Sequence, residues 1–79
     1  MFTVYVLRNP EGQLYIGQAR DLERRLAQHH RGEGGRMGGR GPWELVLAET
    51  YASRAEAMRR ERALKSGRLN QLLRARLNQ

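Results

Sequence analysis

The chain has 79 residues, with 15 basic side chains against eight acidic ones, a formal charge of +7, and 39% hydrophobic residues. That is enough for one small domain over residues 1–79 with a thin core, and too apolar for a disordered chain. No cysteine is present and the only histidines are His29 and His30. Disulfides, zinc ribbons, iron–sulfur clusters, thiol catalysis and an all-histidine metal site are therefore excluded. A metal would be held mainly by carboxylate and water oxygens, which suits magnesium or manganese. No apolar run approaches the ~20 residues needed to cross a bilayer. Met1-Phe2-Thr3-Val4-Tyr5-Val6-Leu7 carries no basic leader, so a cytoplasmic protein without a membrane partner is expected.

Phe2 to Leu7 alternates β-branched and aromatic residues and reads as a strand. Asn9-Pro10-Glu11-Gly12 has the chemistry of a hairpin loop ending in a glycine bulge. Leu14 to Gly17 is the return strand. With Pro10-Glu11-Gly12 as the loop, Tyr5 faces Gly17 and Leu7 faces Tyr15. Tyr5 and Tyr15 then share one side of the sheet, and Val4, Val6, Leu14 and Ile16 share the other.

Asp21 caps a helix running to about His30, with Leu22, Leu26 and His29 stacked along it. Arg31 to Gly41 holds six of the nine glycines and three arginines, and reads as a mobile basic loop. Trp43 to Glu49 reads as a third strand. Ser53-Arg54-Ala55-Glu56 matches a capping box and opens a helix to about Ser66, which Gly67 ends. Leu69, Leu72, Leu73 and Leu77 mark a final amphipathic helix. The expected fold class is α+β: a three-stranded antiparallel sheet flanked by helices, in the order β-β-α-β-α-α.

Fourteen of the 15 basic residues are arginine, the exception being Lys65, and the pI is near 11.3. A small domain so basic has the footprint of a polyanion binder, because the guanidinium fork donates paired hydrogen bonds to phosphate. A biased genome or growth at high temperature accounts for the same counts without function. On the Ser53 helix, Ala57, Met58 and Leu64 mark the inner face. Glu61 falls inside that stripe, at about 40° from Ala57 on a wheel of about 100° per residue. A carboxylate there needs a partner, either an arginine in a salt bridge or a metal. On the first helix, Arg25 and His29 are i, i+4 neighbours at the rim of the apolar face. Each has an ordinary structural reading alone, as a paired surface arginine and a half-buried imidazole. Together Tyr5, Tyr15, Arg25, His29 and Glu61 lean toward one side of a small sheet.

Tyr15-Ile16-Gly17, preceded by Val4-Tyr5-Val6 and followed by Asp21-Leu22-Glu23-Arg24-Arg25-Leu26-Ala27-Gln28-His29, resembles the GIY-YIG nuclease superfamily. The resemblance is closest to its small stand-alone members of the UPF0213 or excision-repair-endonuclease-like type. Ala57-Met58-Arg59-Arg60-Glu61-Arg62-Ala63-Leu64-Lys65 is similar to the family's Glu-bearing helix. The first tripeptide departs from the pattern, with Val4-Tyr5-Val6 in place of Gly-Ile-Tyr. The likeness covers residues 3 to about 68.

The resemblance implies divalent-metal-dependent cleavage of phosphodiester bonds in DNA, with Mg2+ or Mn2+ as cofactor, products bearing 5′-phosphate and 3′-hydroxyl, and a place in DNA repair. It assigns Glu61 to the metal and Arg25 to the scissile phosphate. It leaves Tyr15, Tyr5 or His29 to activate water. Gly17 either lets the backbone approach the substrate or fits the bulged strand. Arg31, Arg36 and Arg40 would track a phosphate backbone, Arg59, Arg60 and Arg62 point outward beside Glu61, and with Lys65 they would extend the basic surface. Trp43 is either a base-stacking platform or core filler. DNA, branched or single-stranded, is the expected partner, with room for a protein partner that supplies specificity. The readings from other classes are a basic nucleic-acid-binding module that does not cut, and an RNA- or ribosome-associated protein.

Overall fold

The computed structural model describes residues 1–30 and 42–77, with His29 and His30 described by backbone alone. Arg31, Arg36 and Arg40, and the whole expected basic loop, lie outside the described residues. Strand β1 spans Phe2–Arg8, β2 Leu14–Ala19 and β3 Glu44–Tyr51. Helix α1 spans Leu22–His30, α2 Arg54–Lys65 and α3 Gly67–Leu77. The sheet is antiparallel in the order β2-β1-β3, so the most apolar strand sits in the middle. This is the α+β architecture expected.

The β1–β2 hairpin shows why the register is fixed. Asn9 is 4% exposed, and its Oδ1 accepts the backbone N–H of Glu11 (3.1 Å) and of Gln13 (2.8 Å). Gly12 takes a left-handed φ of 83°, which glycine adopts without a Cβ penalty. The loop closes with Tyr5 opposite Gly17 and Leu7 opposite Tyr15, as the turn chemistry requires. A register shift between Val6 and Leu7 marks the pairing of β1 with β3.

Alternation along the strands then builds two different faces. Val4, Val6 and Ile16 pack against Ala57 and Leu64 of α2, with Leu69, Leu73 and Leu77 of α3 closing over them. On the opposite face Tyr5, Leu7 and Trp43 form the buried set, covered by Tyr15, Ala19, Leu22 and Leu26. Trp43 is therefore core.

Four expectations need correction. Met58 is 37% exposed and does not belong to the inner face of α2. Arg60 is not outward: its Nε and Nη2 grip the two carboxylate oxygens of Glu49 at 2.8 and 3.2 Å. That pairing sets the phase of a helix with too few apolar residues to set it alone. Gly67 does not end α2 as a left-handed cap. Ser66 breaks the helix with extended φ and ψ of −88° and 143°, and Gly67 opens α3. Leu72 faces outward on α3 at 58% exposure. The capping box is present as read, with Ser53 Oγ accepting from the Glu56 N–H at 3.2 Å. Among the described residues no helix is long and apolar enough to cross a membrane.

Candidate active site

Tyr5 lies at the centre of the middle strand and is fully buried. Its ring crosses the backbone of Gly17 on the neighbouring strand. A Cβ on Gly17 would sit 2.9 Å from Tyr5 Oη, closer than real side chains approach, and a tight 3.1 Å from the Tyr15 ring. The absence of a side chain at Gly17 is what lets the two phenols share this face. Their ring centroids are 6.2 Å apart at 32°. Gly17 is itself buried, so its observed role is to seat Tyr5.

Helix α1 brings Arg25 over these rings. Asp21 Oδ1 accepts the backbone N–H of Arg24 at 3.1 Å and caps the helix start. Arg25, one turn in, donates from Nε to Tyr5 Oη at 3.4 Å and from Nη1 to Gln28 Oε1 at 3.3 Å. The hydrogen bonds to Tyr5 and then to Tyr15 stabilise the guanidinium charge and push its pKa up. The Tyr5 phenol is pushed up as well, chiefly by burial, with the Arg25 bond opposing. Tyr5 therefore keeps its proton at neutral pH.

Glu61 does not share the side of the sheet expected for it with Tyr5, Tyr15 and Arg25: it projects from α2, which packs on the opposite face, yet its charge adds to the upward shift at Tyr5. Its side chain is 21% exposed, and Lys65 Nζ donates to its Oε2 at 2.7 Å. The sequence had pointed to an arginine or a metal as the partner of this carboxylate, and the partner is the single lysine. Arg59 and Arg62 are exposed on the same helix. His29 falls in the last turn of α1, with its side chain outside the description.

Among the described residues no three of His, Cys, Asp or Glu converge on one point. Of the residues assigned to the site, Glu61 is the carboxylate that a divalent cation would meet. That donor set fits magnesium, which keeps several waters and completes its octahedron with substrate phosphate. Sequence reasoning missed Gln28, Asn70 and Arg74 near this region. Gln28 had a readable signal, its i, i+3 spacing from Arg25.

The arrangement is two tyrosines from paired strands, an arginine from the next helix and a glutamate from a later one. Residues 1–74 match the model of the GIY-YIG catalytic domain. The chain belongs to the GIY-YIG domain family. That family is one of nucleases, in general dependent on a divalent metal. The chain is 46% identical over 63 residues to a UPF0213 protein of Nitratidesulfovibrio vulgaris, covering 78% of this chain and 57% of that protein. It is 45% identical over 64 residues to a UPF0213 protein of Natronomonas pharaonis, covering 80% of this chain and 75% of the other. The solution NMR structure of a UPF0213 protein from Bacillus halodurans is similar at a TM-score of 0.58 and 35% identity. The match covers 98% of this chain and 85% of that one. The chain thus spans a little over half of the Nitratidesulfovibrio relative and most of the other two.

Proposed function

We propose that this GIY-YIG chain is a divalent-metal-dependent endonuclease that hydrolyses phosphodiester bonds in DNA. The observation that carries the reading is Arg25. A cationic fork fixed against two phenols from adjacent strands, in a strongly basic chain, suits a phosphate gaining charge. Arg25 binds the scissile phosphate and stabilises charge on its non-bridging oxygens. Tyr5, buried and kept protonated, positions Arg25 and takes no proton from water. Orientation and deprotonation of the attacking water fall to Tyr15, which is only half-buried, or to His29. Glu61 holds the cation, Mg2+ or Mn2+, which when bound polarises the phosphate and stabilises the leaving oxygen. Lys65 moves off Glu61 to make way and extends the basic surface with Arg59 and Arg62.

A second reading has its own observation. The Lys65–Glu61 pair already satisfies the carboxylate, as in a binding module that does not cut. Labelled single-stranded, duplex, flap and branched DNA, incubated with magnesium, manganese or EDTA, separates the two. Cutting that requires metal and vanishes in Glu61→Gln, with folding and binding kept, supports the nuclease. Salt-sensitive binding without cutting under every condition overturns it in favour of the binding module.

A further inference from the structure

Between the outer edge of β2, the end of α2 and the first half of α3 lies a depression of about 300 Å3. It is lined by Leu14, Tyr15, Ile16, Lys65, Asn70 and Arg74. Two of these side chains are cationic, one is an amide, and none is acidic. Its parts are tied together. Asn70 Nδ2 donates to Leu64 O at 2.8 Å, satisfying a carbonyl in the last turn of α2 that has no partner within the helix. Arg74 Nε in turn donates to Asn70 Oδ1 at 2.8 Å. That bond uses Nε, so the outer edge of the guanidinium is not consumed by it. Lys65 stands between this notch and Glu61. The β2 edge beside it is a strand edge, with main-chain donors on alternate residues.

We propose that the notch of Lys65, Asn70 and Arg74 binds a second phosphate of the DNA strand, neighbouring the one held at Arg25. The identity of the ligand as DNA rests on the nuclease reading above. A cation whose side chain is pre-oriented by an amide loses less freedom on gripping an anion than a loose surface arginine does. Arg76, two residues further along α3, makes the contrast within one helix. It lines a different groove, among Val46, Leu47, Leu69, Leu73 and Leu77 on the β3 side.

The test measures DNA affinity by fluorescence anisotropy in EDTA across a salt series, so binding is read without cleavage. Arg74→Gln keeps an N–H for Asn70 and removes one charge. It should weaken binding about five- to tenfold near 0.1 M salt and flatten the salt slope by about one, whatever the sequence. Arg76→Ala should leave the affinity within about twofold. With the metal present, Arg74→Gln should raise KM and leave kcat near that of the wild type. Unchanged affinity in Arg74→Gln, equal losses in the two variants, or a sequence-selective loss would each overturn the notch. A wild type that shows the Arg74 effect but never cuts would overturn the nuclease reading and leave the notch standing. A wild type that binds no DNA would overturn both. A melting curve for Arg74→Gln matching the wild type shows that the loss is not unfolding.

Discussion

The two faces of the sheet are built from the same three strands and solve different problems. On one, Val4, Val6 and Ile16 meet Ala57 and Leu64 in an aliphatic layer with no polar group at its centre. On the other, Tyr5 and Tyr15 carry hydroxyl groups into the packing, and Arg25 lies across them. Cohesion comes from the first face, and the second carries Arg25 and both phenols of the proposed site, while Glu61 comes from α2 over the first. A chain of 79 residues cannot spare a separate scaffold, because a small domain buries a small share of its surface. The central strand therefore serves both faces at once, with its alternate residues divided between them.

The largest effect should come from damage to the cohesive face. Leu64 is 1% exposed against Val4, Val6 and Ile16, so Leu64→Ala should cost about 2–5 kcal/mol. Urea denaturation would show it as a shifted midpoint with an unchanged slope. Cleavage by the fraction that remains folded should stay near that of the wild type. A folded but inactive Leu64→Ala would show that the two faces are not separable.

Gly17→Ala probes the other face at its tightest contact. The new methyl would meet Tyr5 Oη at 2.9 Å and the Tyr15 ring at 3.1 Å, and such overpacking typically costs about 1–3 kcal/mol. The rings must shift, so Arg25 should lose its seat and activity should fall further than stability accounts for. Wild-type activity in this variant would mean that Tyr5 and Arg25 need no fixed geometry.

How much of this was legible beforehand differs between the faces. The hairpin loop announced its register, because Asn9 and Gly12 each need a conformation that few other residues satisfy. Register then settled which residues shared a face, and Ser53 with Glu56 announced the start of α2. The rotation of α2 was legible only in part: Ala57 and Leu64 face inward as read, whereas Met58 does not and Arg60 turns in toward Glu49. The rest depends on Glu49, 11 residues away in sequence from Arg60, and a wheel with few apolar residues fixes its phase only loosely. Lys65 as the partner of Glu61 was readable, since Glu before Lys at i, i+4 is a favourable order. The many arginines drew attention away from it. Asn70 and Arg74 gave no signal, because their placement follows from the break at Ser66, where a glycine stop was expected at Gly67.

The Glu49–Arg60 clamp also predicts a pH effect confined to the cohesive face, where Glu49 stands opposite Val4. The Arg60 guanidinium holds the Glu49 carboxyl below its ordinary value of 4.5, helped by the hydroxyl of Tyr51 and opposed by burial. A depressed value in the folded state means stability present above pH 4.5 and lost as pH falls from there through the folded value. Water screens the pair, so the loss should be at most about 1 kcal/mol. Glu49→Gln should lower stability at neutral pH and remove this part of the acid slope in melts between pH 6 and about pH 3. An unchanged acid slope would mean that other carboxylates carry the acid transition.

Tyr5→Phe is a similarly small change, and it bears most directly on how the Tyr5–Arg25 face works. The change deletes one oxygen that accepts a long 3.4 Å bond from Arg25 and leaves the ring over Gly17 in place. A bond of that kind contributes about 0.5–1.5 kcal/mol, so a rate loss of about three- to tenfold follows if Tyr5 acts through Arg25. Loss of a general base would instead cost about 100- to 10,000-fold. Burial pushes the Tyr5 phenol up and keeps it protonated, so the smaller figure is expected, with an unaltered pH–rate profile. A larger loss, together with the disappearance of an alkaline limb, would return the proton-transfer role to Tyr5. The small loss, with a far larger one in Tyr15→Phe, would place that role on the half-buried ring instead.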